Sequence, residues 1–381
     1  MDKEKTINSQ IPFDELIEGM VFGDDVIDKE GRLLVSKNTV LTREILEKLK
    51  KFSSRKVFSM KVLLSELNIK IVVKLENGSV QEVASSQIKM EHTKERLVIK
   101  EKFDEMHKSI KQSFDELSRN NTSPKVKKEL DNTVEEIKNN LSVNIELLNE
   151  ILDVKATDEY LYNHSLNVAV VSNLIGRWIG LEQKDLDILI LAGLVHDIGK
   201  LRIDPAILNK PGKLTDEEFT EMKKHPEYSY QMLMEMGYKD NAILKAVTFH
   251  HEKEDGSGYP LKISGDKITI HAKILAIADI FDAMTSNRVY KARVSPFKVL
   301  EMFQNQNFGK LDYKIIMVFI KRFTENYVGS EVILSNNQRA KIVSLNAYEI
   351  TKPLLVTSEG KFIDISRERE VQILDFEHKI T

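Results

Sequence analysis

Hydrophobic residues in the first part of the chain form short runs separated by turn residues. In residues 1–92, Ile69, Ile71, Val73 and Leu75 alternate with polar positions up to Asn77-Gly78, a strong signal for a tight hairpin turn. Gly19–Phe22 and Arg32–Val35 flank the turn residues 28–31 in a similar way, and Thr42 can cap a short helix. This pattern predicts a small α+β domain. Since it lacks a glycine-rich phosphate loop, an interaction or sensing role is the default interpretation.

A helical period follows in residues 93–155. Apolar residues recur at three- and four-residue steps from Phe103 to Leu117, and again from Val126 to about Leu152. Asn120–Pro124 interrupts the stripe, and Pro124 suits the first position of a second helix. The stripe would serve either a coiled-coil dimer or a helical hairpin packed on the next domain, because both bury the same seam. We favour the packed hairpin.

The remaining chain divides into a helical part and a β-rich part. Residues 156–325 carry mostly helical patterns separated by Gly, Pro or charged loops, whereas residues 326–381 contain short apolar runs between turn residues such as Asn336-Asn337. The predicted fold is therefore mainly α. An all-helical domain is flanked by a small α+β N-terminal domain with a helical linker and by a small β-rich C-terminal module.

Composition narrows the function classes. The 381 residues carry a net charge of −3, so no bulk field draws the chain to a nucleic acid polymer or an anionic membrane. The absence of cysteine excludes disulfides, thiolate metal sites and a cysteine nucleophile, and it fits a cytoplasmic location. Neither a signal-peptide pattern nor an apolar run of about 18 residues occurs, so we expect no membrane insertion.

Potential metal ligands are concentrated in the helical part of the sequence. Six of the nine histidines lie between positions 164 and 271, and neutral imidazoles and carboxylates are ligands for first-row divalent metals. His196-Asp197 and His250-His251 each end an apolar helical pattern, with Gly199 suited to a left-handed C-cap. Asp279 lies within an apolar helix, where a carboxylate is costly to bury without a metal or cation.

Each of these residues also has a simpler interpretation. A single histidine is more often a core or surface residue than a ligand, and Asp279 could pair with a nearby Arg or Lys. Asp282 could be only a polar-face residue or a local hydrogen-bond acceptor. His271, at the start of a helix, is expected to be solvated or capping rather than metal-bound.

The joint order of these motifs resembles the HD-GYP family, a branch of the HD phosphohydrolases whose members hydrolyse cyclic di-GMP. The resemblance covers about residues 155–325. It runs through His164, His196–Lys200, Asn209–Leu214, His225, His250-His251-Glu252, Asp255–Pro260, Asp279 and Arg288–Lys291.

The resemblance implies an HD-type helical fold with a metal centre and assigns roles to individual residues. The positions matching the family's metal ligands are His164, His196, Asp197, His225, His250, His251 and Asp279. Asp197 matches the residue that bridges two metals and, with Lys200, forms the implied catalytic pair. Lys200, Tyr259, Arg288 and Lys291 match substrate-binding positions.

Two departures from the family pattern bear on the number of metals. Some members hold a third metal with a Glu and a His, where this chain has Tyr160 and Pro205, so we expect two divalent ions, iron or manganese, and no third. Asp204-Pro205 also replaces the commoner Pro-Asp order. The implied reaction is hydrolysis of cyclic di-GMP to pGpG or GMP by a metal-bridging hydroxide.

Other functions and partners follow from the same resemblance. The chain could instead be a weakly active or inactive cyclic di-GMP receptor that signals through its terminal modules, although the intact ligand set argues against this. It could also hydrolyse another nucleotide, such as cyclic GMP-AMP. A diguanylate cyclase (GGDEF) domain at the GYP loop and a second copy of the chain are candidate protein partners.

Overall fold

The computed structural model describes residues 85–119, 121–140, 160–286, 294–306, 309–346, 348–368 and 370–376, together with the N-terminal strands given below and residues 39, 41, 45 and 49. The chain divides into two compact units. One consists of Met1–Lys94 with Tyr327–Thr381, and the other of Glu95–Asn326. The four-part division expected from the sequence remains a prediction.

Short strands dominate the N-terminal part of the first unit. They are β1 (Thr6–Pro12), β2 (Val21–Phe22), β3 (Val26–Ile27), β4 (Leu33–Val35), β5 (Val57–Leu63), β6 (Ile71–Lys74) and β7 (Val80–Val83). Strands β6 and β7 pair antiparallel across Asn77-Gly78, as the alternation predicted. The expected pairing of Gly19–Phe22 with Arg32–Val35 is wrong. Strand β2 pairs with β5 instead, and β4 pairs with β3, which is nearer to it in the sequence than β2 is.

The C-terminal part of the same unit is a small antiparallel sheet, which confirms the predicted β-rich module. Its strands are β8 (Glu331–Leu334), β9 (Arg339–Ser344), β10 (Leu354–Thr357), β11 (Phe362–Asp364) and β12 (Ile373–Phe376), in the order β11-β10-β9-β8-β12. In β9, Ala340 and Ile342 are buried and Arg339 and Lys341 are exposed, so the strand covers a core on one face.

The second unit begins within the long helix α1 (Ser85–Ser118), which is followed by α2 (Pro124–Asn140), and Pro124 is the first residue of α2 as expected. Their apolar stripe is buried at Ile110, Phe114, Leu130 and Ile137. The Tyr162 hydroxyl donates to Asp115 (2.9 Å) and the Tyr238 hydroxyl to Asp131 (2.8 Å), so α1 is bonded to α3 and α2 to the loop that follows α7. The stripe thus serves a packed hairpin. Residues 141–159, where the second helix was expected to continue, lie outside the described residues.

The rest of the second unit is helical, as the mainly α prediction requires. It comprises α3 (Tyr160–Trp178), α4 (Gln183–Val195), α5 (Pro205–Leu208), α6 (Asp216–Met222), α7 (His225–Glu235), α8 (Asn241–Phe249), α9 (Ile270–Thr285), α10 (Pro296–Gln306) and α11 (Tyr313–Asn326), with 3-10 turns at Ile198–Arg202 and Gly265–Lys267. Among the described helices, none combines the length and apolar character required to cross a membrane.

Helix α4 lies at the centre of this unit because almost all of its residues are apolar and buried. Helix α3 packs closely on it: a Cβ on Gly193 would collide with the backbone of Ala169. Helices α8 and α9 pack against α4 as well. The C-terminal ends of α4 and α8 therefore meet the middle of α3 and α9, and this meeting point positions the polar residues described next.

Candidate metal centre

His196 and Asp197 lie where the central helix ends. His196 is the C-cap of α4, Asp197 precedes the 3-10 turn, and both side chains are buried. Gly199 lies within that 3-10 turn, so the expectation of a left-handed C-cap is wrong. The Gly199 N–H donates to the Ser229 hydroxyl (2.8 Å), which donates to the His196 carbonyl (2.7 Å). The turn is thereby held tightly against α7.

Three histidines are oriented by backbone carbonyl groups at helix ends. The Nδ1 atoms of His196, His225 and His250 lie 2.8, 2.8 and 2.6 Å from the carbonyl oxygens of Gly193, Met222 and Val247, each three residues earlier. A carbonyl can only accept, so each Nδ1 carries the proton. Each Nε2 consequently keeps its lone pair for a ligand.

His164 is oriented by a carboxylate instead. Its Nδ1 lies 2.7 Å from Asp282 Oδ2, and Asp282 is itself fixed because Oδ1 accepts from Asn167 Nδ2 and from the Ser286 hydroxyl, both at 2.8 Å. Asp282 is fully buried. Its interpretation as only a polar-face residue is therefore wrong. Its three-residue spacing from Asp279 on an apolar helix was the available sequence signal.

The ligand atoms converge around Asp197. Asp197 Oδ2 lies 3.4 Å from His164 Nε2 and 3.3 Å from His196 Nε2, while Oδ1 lies 3.2 Å from His225 Nε2. Among the described residues, two groups have donor atoms close enough to hold a metal ion. One is His164, His196 and Asp197, and the other is Asp197, His225, His250 and His251. The two groups share the Asp197 carboxylate.

Asp279 lies beside both groups. One carboxylate oxygen is 3.2 Å from His164 Nε2 and the other is 4.0 Å from His251 Nδ1. Within the described part of the chain, Asp279 has no Arg or Lys ion-pair partner, so the simpler interpretation of a cation pair does not apply there. The structure thus brings together all seven residues that the sequence singled out as metal ligands.

Burial sets the protonation of the imidazoles. Burial, reinforced by Lys200 and His251, lowers the pKa of His225 to about 3. Burial also lowers the pKa of His251 to about 4, despite the opposing charge of Asp279. The pKa of His250 is lowered well below its ordinary value by burial and the neighbouring His251. These rings are neutral at pH 7, the form that binds metals.

The carboxylates of the centre stay ionised. Burial opposes ionisation of Asp197, but Lys200, His196 and His164 outweigh it and hold its pKa well below the usual range. For Asp279, burial is likewise outweighed by its close contact with His164 and by the neighbouring imidazoles, so its pKa is lowered. Neutral imidazoles beside ionised carboxylates form a donor set suited to a divalent first-row metal.

Unsatisfied buried atoms provide an independent test of this fit. His196 Nε2 and Asp197 Oδ1 are buried without a hydrogen-bond partner among the described residues. Leaving such atoms unpaired costs about 1–3 kcal/mol each. Both belong to the donor groups above, and a bound cation would satisfy both. The residues therefore fit a divalent metal.

The segment after His251 folds back onto the histidines. A Cβ on Gly258 would come within 2.5 Å of the Glu252 Cα and the His251 carbonyl oxygen, so only glycine allows this approach. The Tyr259 ring stacks on the His251 ring at 4.7 Å, and the Glu252 carboxylate accepts from the Leu261 N–H at 2.6 Å. Burial and the carboxylates of Asp279 and Asp197 raise the pKa of Tyr259, so its hydroxyl keeps its proton.

The basic residues expected to bind substrate are only partly described. Lys200 Nζ lies 2.5 Å from Asp197 Oδ2 and is 23% exposed, which puts an ammonium group between the carboxylate and solvent. Arg288 and Lys291 lie outside the described residues. Pro205 begins α5, and Asp204 caps that helix by accepting from the Ala206 N–H (2.8 Å).

Replacing Asp282 by asparagine tests whether this residue positions His164. The change removes the charge that holds the His164 Nδ1 proton, so we expect metal affinity to fall about 10- to 100-fold while the fold persists. Competition with a chelator measures the affinity. Asp185→Asn is a matched control, because Asp185 pairs with His271 Nε2 at 2.9 Å outside the centre. Equal affinities for the two variants would contradict this role of Asp282.

The chain is similar in sequence to several known proteins. A family model described as an HD domain matches residues 146–315. The chain is 32% identical over 206 residues to a cyclic di-GMP phosphodiesterase of Pseudomonas aeruginosa, covering 54% of this chain and 50% of that protein. It is 37% identical over 159 residues to the 3'3'-cGAMP-specific phosphodiesterase 3 of Vibrio cholerae, covering 42% and 34%.

The chain therefore spans about half, or less, of the length of these relatives. A solved HDG"Y"P protein from Bdellovibrio bacteriovorus has a similar fold, with a TM-score of 0.50 and 16% identity, covering 83% of this chain and 98% of that one. Residues 146–315 therefore match an HD domain, and the curated relatives and the motifs around the centre are similar to the HD-GYP branch of that family.

Proposed function

We propose that this protein is a metal-dependent phosphodiesterase that hydrolyses cyclic di-GMP to pGpG, GMP or both. One observation carries the proposal. Two groups of buried imidazole and carboxylate donors share Asp197, which is the arrangement that a pair of neighbouring divalent ions requires.

The two donor groups support a count of two ions. One ion would be held by His164, His196 and Asp197, and the other by Asp197, His225, His250 and His251, with Asp279 completing the shell beside His164. When bound, such ions supply Lewis acidity toward the phosphate and an activated water. Iron or manganese suits this nitrogen and oxygen set. Pro205 occupies one of the two positions that hold a third metal in some family members. Its side chain cannot bind a metal, so we infer two ions rather than three.

Lys200 and Tyr259 would act on the substrate directly. The Lys200 ammonium neutralises charge that develops on the phosphoryl oxygens, where a preorganised cation has its largest effect. Tyr259 keeps its proton and its ring is stacked on His251, so it can donate to a phosphate oxygen or stack on guanine. Arg288 and Lys291 are proposed to bind phosphate on the basis of the family resemblance.

The reaction consumes one water for each phosphodiester bond that is broken. Attack on one phosphorus of cyclic di-GMP breaks the bond to the 3' oxygen, which takes up a proton, and opens the ring to pGpG. A second hydrolysis of pGpG yields two GMP. The buried imidazoles and carboxylates hold the metals, and no side-chain nucleophile is required.

A second candidate substrate is 3'3'-cyclic GMP-AMP. Relatives named as specific for this nucleotide match the chain at 37% and 32% identity, comparable to the 32% of the cyclic di-GMP phosphodiesterase from Pseudomonas aeruginosa. A receptor without turnover is a weaker alternative, because all seven candidate ligands are retained. The proposal also includes a cytoplasmic location and, as candidate protein partners, a GGDEF domain and a second copy of the chain.

Metal analysis combined with product identification tests the proposal. Protein purified without added metal is expected to carry about two divalent ions per chain and to convert cyclic di-GMP to pGpG or GMP. A chelator should abolish turnover, and Fe²⁺ or Mn²⁺ should restore it. Parallel reactions with 3'3'-cyclic GMP-AMP establish the preferred substrate. Tight cyclic di-GMP binding without turnover at full metal loading would instead support a receptor.

A further inference from the structure

A cleft of about 200 Å³ opens beside the metal centre. Three candidate ligands, His250, His251 and Asp279, line one part of it, and Lys310 and Leu311 line another. A substrate phosphate bound at the centre would therefore extend toward Lys310. Pockets for drug-sized ligands measure about 300–1,000 Å³, so this cleft suits part of a cyclic dinucleotide rather than the whole molecule.

The backbone of Lys310 is held in place. Its carbonyl accepts from the Glu254 N–H at 3.0 Å, which joins it to the segment that follows His251. The largely buried Lys273 forms ion pairs with both Glu254 (2.9 Å) and Asp312 (3.3 Å), so one ammonium group ties that segment, α9 and the start of α11 together. Asp312 also accepts from the first N–H groups of α11. The wall of the cleft that carries Lys310 is thus well defined.

Each acidic group around this wall has at least one partner, and Glu252 Oε2 is the buried oxygen that lacks one among the described residues. Glu254 pairs with Lys273, Asp255 accepts from the Ser257 N–H and hydroxyl, and Glu252 accepts from the Leu261 N–H. Across the described ranges, Lys310 forms no ion pair within 4.0 Å. Lys310 acts on the nearby Asp255 carboxylate only at longer range, as the smallest of the causes that lower the pKa of Asp255, so its ammonium group can still interact with an anion in the cleft.

We propose that Lys310 is a specificity residue that binds the phosphate of the cyclic dinucleotide that is not being cleaved. This role of Lys310 rests on the proposed function, and it places the second phosphate of the substrate in the cleft. Cyclic dinucleotides carry two phosphodiesters, so a cation across the cleft from the metal centre favours them over substrates with one. The contact is made in the ground state and the transition state alike, so it lowers KM without changing kcat.

Lys310→Gln tests this role with two substrates. The change should raise KM for cyclic di-GMP about tenfold, the loss expected for one hydrogen bond to a charged group, and leave kcat within about twofold. Bis(p-nitrophenyl) phosphate has a single phosphodiester and reports the metal centre alone, so its kinetics should not change. Lys310→Arg keeps the charge and should restore most of the affinity for cyclic di-GMP.

Lys314→Gln is the matched control, because Lys314 is exposed on the adjacent helix turn and does not line the cleft. An unchanged KM for cyclic di-GMP in Lys310→Gln would overturn the proposal, as would an equal loss with both substrates. A wild-type protein that hydrolyses bis(p-nitrophenyl) phosphate but no cyclic dinucleotide would refute the proposed function, and the role of Lys310 with it. Failure of the Lys310 proposal can thus be distinguished from failure of the proposed function.

Discussion

Asp197→Ala is expected to abolish metal loading and phosphodiester hydrolysis together. Its carboxylate belongs to both donor groups, so its loss removes a ligand from each prospective ion. Loss of an outer-shell partner alone typically costs 10- to 100-fold in metal affinity or activity. Removal of a shared ligand should therefore cost at least about a hundredfold in both. Elemental analysis and turnover of cyclic di-GMP measure the two effects.

Two comparisons make the Asp197 result specific. Asp187→Asn removes a carboxylate that pairs with Lys138 (3.0 Å) away from the centre, so it should leave metal content and turnover intact. Far-ultraviolet circular dichroism shows whether Asp197→Ala still folds, and Asp197→Asn retains the shape of the side chain without its charge. Hydrolysis retained by a folded, metal-free Asp197→Ala protein would refute the proposed centre.

Gly199→Ala should destabilise the helical unit and displace His225. A Cβ at this position would overlap the His225 carbonyl oxygen and the Ser229 nitrogen, which are backbone atoms of the first turn of α7. Overpacking typically costs about 1–3 kcal/mol, and here rigid backbone must move, so we expect about 3 kcal/mol or more. Metal affinity should fall as well, because His225 Nε2 must remain near Asp197.

The single tryptophan, Trp178, provides a probe for this experiment. It stacks on Phe319 within the helical unit at 6.0 Å, so its fluorescence in a urea titration reports unfolding of that unit. Gly176→Ala is the matched control. Its Cβ would meet only the flexible ends of Leu189 and Leu186, at 2.6 and 2.8 Å, so the loss should be smaller. Equal midpoints for Gly199→Ala and the wild type would contradict the predicted overlap.

The helical fold and the ligand set could be predicted because their signals are local. His196-Asp197 and His250-His251 follow apolar helical patterns, and helix ends are where a chain turns toward its neighbours. Pro226 marks the start of α7 in the sequence, and His225 is indeed its first residue. The convergence of these ends depends on packing. Residue spacing by itself does not predict this convergence. The resemblance to a known family did.

Features that depend on contacts between residues far apart in the sequence were harder to predict from the sequence. Asp282 orients His164, 118 positions away, and a pattern read along one helix shows only that Asp282 shares a face with Asp279. The N-terminal sheet pairs Thr6 with Leu63, so strand β1 has no partner in its own neighbourhood. Gly199 was correctly singled out but for the wrong reason, because close approach to α7 leaves no trace in the sequence around it.

The hydrogen bonds of the imidazole Nδ1 atoms divide the centre into two unequal halves. His225 and His250, in one donor group, and His196, in the other, take their orientation from backbone carbonyls three residues earlier in the chain, so thermal motion elsewhere in the protein hardly rotates them. His164, in the other group, depends on a carboxylate carried by a different helix. Loosening of α3 against α9 therefore weakens one half before the other. If the centre holds two ions as proposed, we expect the ion on the His164 side to dissociate first and the ion on the His225 side to remain.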